Sequence, residues 1–137
     1  MDTLTPEERS ERMSRIRDRD TRPELAVRRL VYGMGYRYRL HRKDLPGRPD
    51  LAFISRRKAL FVHGCFWHRH LGCALGRLPK SRLEFWIPKL ERNQLRDLEN
   101  QERLQQMGWK CLVVWECEIK DEAALKMKVV EFLTGDV

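Results

Sequence analysis

The sequence has no apolar run long enough to span a bilayer. Its first residues, Met1-Asp2-Thr3-Leu4-Thr5-Pro6, are polar and contain no apolar stretch of the kind that directs secretion. A membrane protein and a secreted one are therefore not expected. A cytoplasmic, intracellular protein is, and there thiols stay reduced. No internal repeat or low-complexity linker breaks the 137 residues, so one domain with one core is expected. Acidic residues are outnumbered, 20 against 28 Lys and Arg, for a net charge of +8. That surplus suits a polyanionic partner, nucleic acid first, with a solvated basic face as the plain alternative. There are only four cysteines and four histidines. Four reduced cysteines close to histidines point to metal before disulfides. An H-x-E motif followed by P-C-x-x-C is missing, which removes the zinc deaminases.

What is present is organised into helix starts, alternating runs and one dense chemical stretch. Thr5-Pro6-Glu7-Glu8 reads as a capped helix start, leading into an Arg-rich segment with only Met13 and Ile16 as sizeable apolar residues. So little apolar surface predicts a basic arm over 1–20 that orders on a partner, followed by a single domain over 21–137. Thr21-Arg22-Pro23-Glu24 repeats the cap signal, and that helix should end near Gly33 or Gly35. Tyr36 to Leu40 alternates as a strand does. Asp50 to Ser55 and Lys58 to His63 read as an antiparallel hairpin turning at Arg56-Arg57. Ser81-Arg82-Leu83-Glu84 predicts a third capped helix running to about Met107, with Pro88 as a kink or fresh start. Lys110 to Glu116 is an apolar strand, and Asp121 caps a last helix. The helical crossover between the third and fourth strands makes them parallel. The expected architecture is an α/β fold, a mixed central sheet flanked by helices.

Residues 49–73 hold three of the four histidines and two of the four cysteines. Cys65, His70 and Cys73 have the spacing C-x4-H-x2-C, and Cys117 follows the last strand. Thiolates and imidazole in a set of four suit a structural zinc ion; the alternative is four free, buried thiols. Cys111, in mid-strand, reads as a small buried hydrophobe. Asp50 begins one hairpin strand and His63 ends the other, so the turn brings them side by side. One carboxylate, a main-chain carbonyl and substrate phosphates suffice for Mg²⁺, which keeps its waters. His68 can take a proton from an attacking water or orient it, unless it is inert or replaces His70 on zinc. Glu24 either joins this site or simply completes the Thr21 capping box. Phe66-Trp67, read alone, belongs in a core, as do Trp86 and Trp109; lying between metal ligands, the pair can instead project as a wedge that parts stacked bases.

Leu45-Pro46-Gly47-Arg48-Pro49-Asp50, His63-Gly64-Cys65-Phe66-Trp67-His68, Glu84-Phe85-Trp86 and Trp115-Glu116-Cys117 together resemble the very-short-patch-repair (Vsr) DNA mismatch endonucleases, from Ser10 to about Lys120. The resemblance implies a restriction-endonuclease-like core and a Mg²⁺-dependent nick in one strand of double-stranded DNA beside a T·G mismatch, in DNA repair. It implies metal binding by Asp50 and by the main-chain carbonyl of Val62, and active-site roles for His63, His68 and Glu24. It implies zinc on Cys65, His70, Cys73 and Cys117, and intercalation by Phe66, Trp67 and, from the arm, Met13. Arg69 and Leu71 depart from the family's histidine-rich run, and one extra residue separates His70 from Cys73. A monomer is expected, with repair proteins as further partners. The rival readings are a related nicking or restriction-type endonuclease acting on DNA without a mismatch, and a zinc-stabilised DNA-binding module without catalysis.

Overall fold

A computed structural model describes residues 21–135. The expected arm, with Met13, lies outside the described residues. Three helices and four strands follow in order: α1 (Arg22–Gly33), β1 (Arg39–Leu40), β2 (Leu51–Phe53), β3 (Lys58–His63), α2 (Leu83–Gln106), β4 (Lys110–Trp115) and α3 (Glu122–Thr134). The sheet order is β1-β2-β3-β4. The first two pairings are antiparallel, and β3 pairs parallel to β4 from Lys58↔Lys110 to His63↔Trp115. Helix α2 is the crossover that a parallel pair requires.

Alternation along the strands builds a layer on each side of the sheet. On one side Leu51, Phe53, Leu60, Val62 and Val114 pack against Val27 and Val31 of α1 and Leu125, Val129 and Leu133 of α3. On the other, Ala52, Ala59 and Phe61 pack with Leu45 and with Leu104 of α2, joined by Trp109, Cys111 and Val113. Burial pushes the Cys111 thiol up to about 11, as befits a sulfur used for packing. Among the described residues no helix is long and apolar enough to cross a membrane.

Local chemistry explains the boundaries and corrects several expectations. The Thr21 hydroxyl accepts the Glu24 N–H at 3.4 Å and so starts α1, but the Glu24 carboxylate faces Arg28 rather than closing a capping box. The strand expected over 36–40 pairs only at Arg39–Leu40, opposite Ala52 and Leu51 of β2. Tyr36 and Tyr38 still pack on the α1/α3 side, as their alternation implies. The hairpin turns through a short 3-10 segment, Ile54–Arg56, closed by Arg57 at φ 52°, so β2 stops before Ser55. Helix α2 starts without the Ser81 cap: Arg82, at φ 58°, takes the cap position one residue later and no side chain caps it. Pro88 does not interrupt this helix. Its missing N–H deprives only the carbonyl of Glu84, an exposed first-turn residue within reach of water. Finally, Lys58 is buried, and its ammonium donates to the carbonyls of Phe132, Leu133 and Gly135 at 2.6, 3.1 and 2.9 Å. A cation there meets the negative end of α3 and ties that helix to β3.

Candidate active site and metal centre

The pairing of β2 with β3 places Asp50 just beyond the ladder, and its carboxylate accepts the Val62 N–H at 2.6 Å, extending the hydrogen bonding by one side chain. Burial pushes the Asp50 carboxyl up to about 7; the Val62 bond opposes this and the charge of Glu24 adds to it. Glu24, only 3% exposed, comes from α1. Its Oε2 lies 3.1 Å from a guanidinium nitrogen of Arg28, which also sits 2.9 Å from His41 Nε2. One ligand atom each from Glu24, His41 and Asp50 falls within 4.8 Å of the others.

At the end of β3, His63 is buried, and desolvation holds it at about 4, lowered further by His68, so it is neutral near pH 7. Its ring stacks on His68, centroids 3.8 Å apart and planes 8° apart. His68 Nδ1 donates to Asp97 Oδ2 of α2 at 2.6 Å, which leaves Nε2 as its working nitrogen. A cavity of about 250 Å³ is bounded by Glu24, Asp50, His63, His68 and Asp97 together. Four elements thus deliver carboxylates and imidazoles to one pocket. Sequence reasoning missed Asp97 and His41. Asp97 had a signal: it lies midway between Leu90 and Leu104, the two buried leucines of α2, at heptad spacing. An acid on a buried stripe invites a question that a solvated acid does not. His41 carried none, being isolated in a loop at φ 47°.

The second cluster is softer. Cys65, His70, Cys73 and Cys117 offer one ligand atom each within 4.8 Å of one another. His70 Nδ1 is 3.6 Å from Cys65 Sγ and 3.4 Å from Cys117 Sγ. A tetrahedral zinc with ordinary bond lengths needs ligand separations of about 3.5–3.8 Å, so the donor set fits in chemistry and in span. The geometry places His70, not His68, with the cysteines. Burial raises Cys65 to about 12, while main-chain N–H donors from Leu75 lower Cys73. Gly76 is needed here, since a Cβ at that position would overlap the carbonyl oxygen of His70.

Phe66 and Trp67 lie outside both packing layers. They form a cluster with Trp86, not the core residue expected, at centroid distances of 5.2 and 5.8 Å, and Phe85 joins it 44% exposed. Asn93 donates to the Trp67 carbonyl at 3.1 Å, and the Lys89 ammonium lies 5.6 Å from the Trp67 ring centre. The cluster is an aromatic tip with basic flanks.

The family described as DNA mismatch endonuclease Vsr matches residues 1–74, and this chain belongs to that family of DNA endonucleases. Within it, the chain is 54% identical over 132 residues to the type II nicking enzyme V.XorIIP of Xanthomonas oryzae pv. oryzae, covering 96% of each. It is 39% identical to the DNA mismatch endonuclease Vsr of Escherichia coli, over 93% of this chain and 85% of that one. The type II nicking enzyme V.NmeAIP of Neisseria meningitidis serogroup A is 38% identical over 93% and 91%.

Proposed function

We propose that this endonuclease nicks one strand of double-stranded DNA beside a T·G mismatch, with Mg²⁺ as the reactive cofactor and zinc as a structural one. The observation that carries the reading is the shared pocket: His68, oriented by Asp97, faces the cavity that Asp50 and Glu24 also line. A DNA-binding module without catalysis has no use for an oriented imidazole there. Mg²⁺, when bound at Asp50, would polarise the scissile phosphate and support the departing 3′ oxygen. A strand residue presents its N–H and C=O to the same neighbour, so the Val62 carbonyl faces the Asp50 side and is available as the second protein oxygen. His68 Nε2 takes a proton from the attacking water as the water oxygen bonds phosphorus and the bond to the 3′ oxygen breaks. Asp97 stabilises the imidazolium that results. His63, neutral and buried, braces the His68 ring. Glu24 adds negative charge beside Asp50, held in place by Arg28.

Zinc on Cys65, His70, Cys73 and Cys117 would fix the loop that carries Phe66 and Trp67. Those rings, with Met13 of the arm, would enter the base stack, most easily where a mismatch has weakened it. Residues 1–20 act as a DNA-embracing arm, 21–137 as one restriction-endonuclease-like domain, and the protein works as a monomer. The test is a panel of duplexes with and without T·G, incubated with Mg²⁺ or EDTA. Nicking of the T·G duplex alone, in Mg²⁺ alone, is expected. Equal cutting of matched DNA would favour the mismatch-independent nickase, and binding without any cut would favour the binding module.

A further inference from the structure

The Cys/His cluster and the catalytic pocket touch through one side chain. The His70 ring lies flat on Trp115, centroids 4.1 Å apart and planes 5° apart. The same indole meets His63 edge-on at 5.3 Å and 79°. His63 stacks on His68, and His68 is hydrogen-bonded to Asp97. Four rings therefore run without a gap from a residue of the sulfur cluster to the imidazole that faces the pocket. Trp115 belongs to neither packing layer of the sheet. It is nonetheless firmly held. Its main chain pairs with His63 in the β3–β4 register, and its main-chain N–H donates to the Glu118 carboxylate at 2.9 Å. The Glu118 carboxylate is bonded in turn by Lys128 at 2.7 Å. Beside the indole lies a cavity of about 320 Å³, also bounded by His63, His68 and His70. Without the indole, these rings have room to turn.

The geometry points to Trp115 as a positioning residue that transmits the rigidity of the Cys/His cluster to His68 through His63. An isolated imidazole hydrogen-bonded at one nitrogen can still swing about that bond. A stack braced at its far end by a four-ligand cluster cannot. The cluster then has two tasks, holding the wedge loop and aiming the proton acceptor. This rests on the reading of His68 as that acceptor.

The experiment compares Trp115→Leu with Trp115→Phe, since Phe keeps a flat ring for both neighbours. Single-turnover nicking of a T·G duplex in Mg²⁺ should fall by about 10- to 100-fold in the Leu variant, the scale of a misplaced catalytic group. Its DNA dissociation constant should stay within about twofold, with zinc content unchanged. The Phe variant should recover most of the rate. By NMR, the His68 Nδ1–H signal should be slow to exchange in wild type and Phe, and broadened in Leu. An unchanged rate with Leu, a Phe variant no better than Leu, or a rate that falls only in step with zinc or DNA binding would overturn the proposal. If Leu does not fold, Trp115→Met fills the space without a flat ring and takes its place. If the wild type does not nick at all, the reading of the reaction fails, and the His68 signal alone still decides whether Trp115 braces it.

Discussion

The two clusters of this protein are built in opposite ways. Three of the four residues of the sulfur cluster fall within nine positions, Cys65 to Cys73, and only Cys117 comes from afar. The pocket proposed as the active site draws Glu24, Asp50, His63, His68 and Asp97 from α1, the hairpin, the following loop and α2. A local cluster declares itself in the order of residues. A dispersed one depends on the fold being right everywhere. The first should therefore fail by losing its ion and its loop, the second by losing rate while the fold persists.

The largest expected effect comes from the dispersed site. Asp50→Ala should lower nicking by at least about 10³-fold, a metal ligand being worth several kcal/mol in the transition state. DNA affinity should change little, since the basic surface remains. Full activity of this variant in Mg²⁺ would remove Asp50 from the reaction. Next is the local cluster. Cys65→Ser or Cys117→Ser should lose zinc and thermal stability together, because ion binding and folding are linked. Purified wild type without zinc by elemental analysis would end the structural-zinc reading. Asp97→Asn should follow, lowering the single-turnover rate by about 10²-fold, as expected where an acid–base group loses its orientation. Near-normal melting would accompany that loss; a rate like wild type's would leave His68 without need of its partner.

Smaller again is the double change Phe66→Ala with Trp67→Ala. Affinity for T·G duplex should drop more than affinity for matched duplex, with a modest melting shift. Truncation of buried aromatics would instead cost about 3–5 kcal/mol of stability. The smallest effect is in pH dependence. Asp50 titrates at about 7 folded and 3.8 unfolded, so its stabilisation is present at low pH and lost as pH rises towards 7. His63 titrates at about 4 folded and 6.5 unfolded, so its contribution is complete above 6.5 and lost as pH falls towards 4. The two slopes oppose each other between pH 4 and 6.5. Asp50→Asn removes one of them, and urea melts of that variant should show a steeper acid loss than wild type. Parallel curves would mean that the carboxyl is not held protonated by its burial.

The same contrast decides which features the sequence shows by itself. Thr21-Arg22-Pro23 begins α1, the two apolar runs form the hairpin, and the long charged helix returns the chain to a parallel β4, because caps, alternation and crossovers are local rules. Cys65, His70 and Cys73 could be grouped for the same reason. Asp97 could not, because its role depends on which stripe of α2 faces the sheet, and that is settled by Leu90 and Leu104 burying themselves. The Ser81 cap failed because a left-handed Arg82 moved the helix start by one residue, a choice of backbone that no side-chain pattern announces. Hydrophobicity alone puts Trp86 in a core. Its neighbours turned out to be Phe66 and Trp67, an aromatic tip that the layers of the sheet do not cover.

The wiring of β3 has a consequence for how the enzyme is made. The strand that ends in His63 gains its parallel neighbour only from Lys110–Trp115 and its Lys58 anchor only from the end of α3. Ribosomes deliver chains from the N-terminus at about 5–20 residues per second. For several seconds of its synthesis the polypeptide already carries Asp50, His63 and His68 yet lacks the strand that pairs along the whole of β3. A half-made copy emerging beside nucleic acid therefore lacks the sheet neighbour and the α3 anchor that hold β3 in place, and both arrive only with the last quarter of the chain.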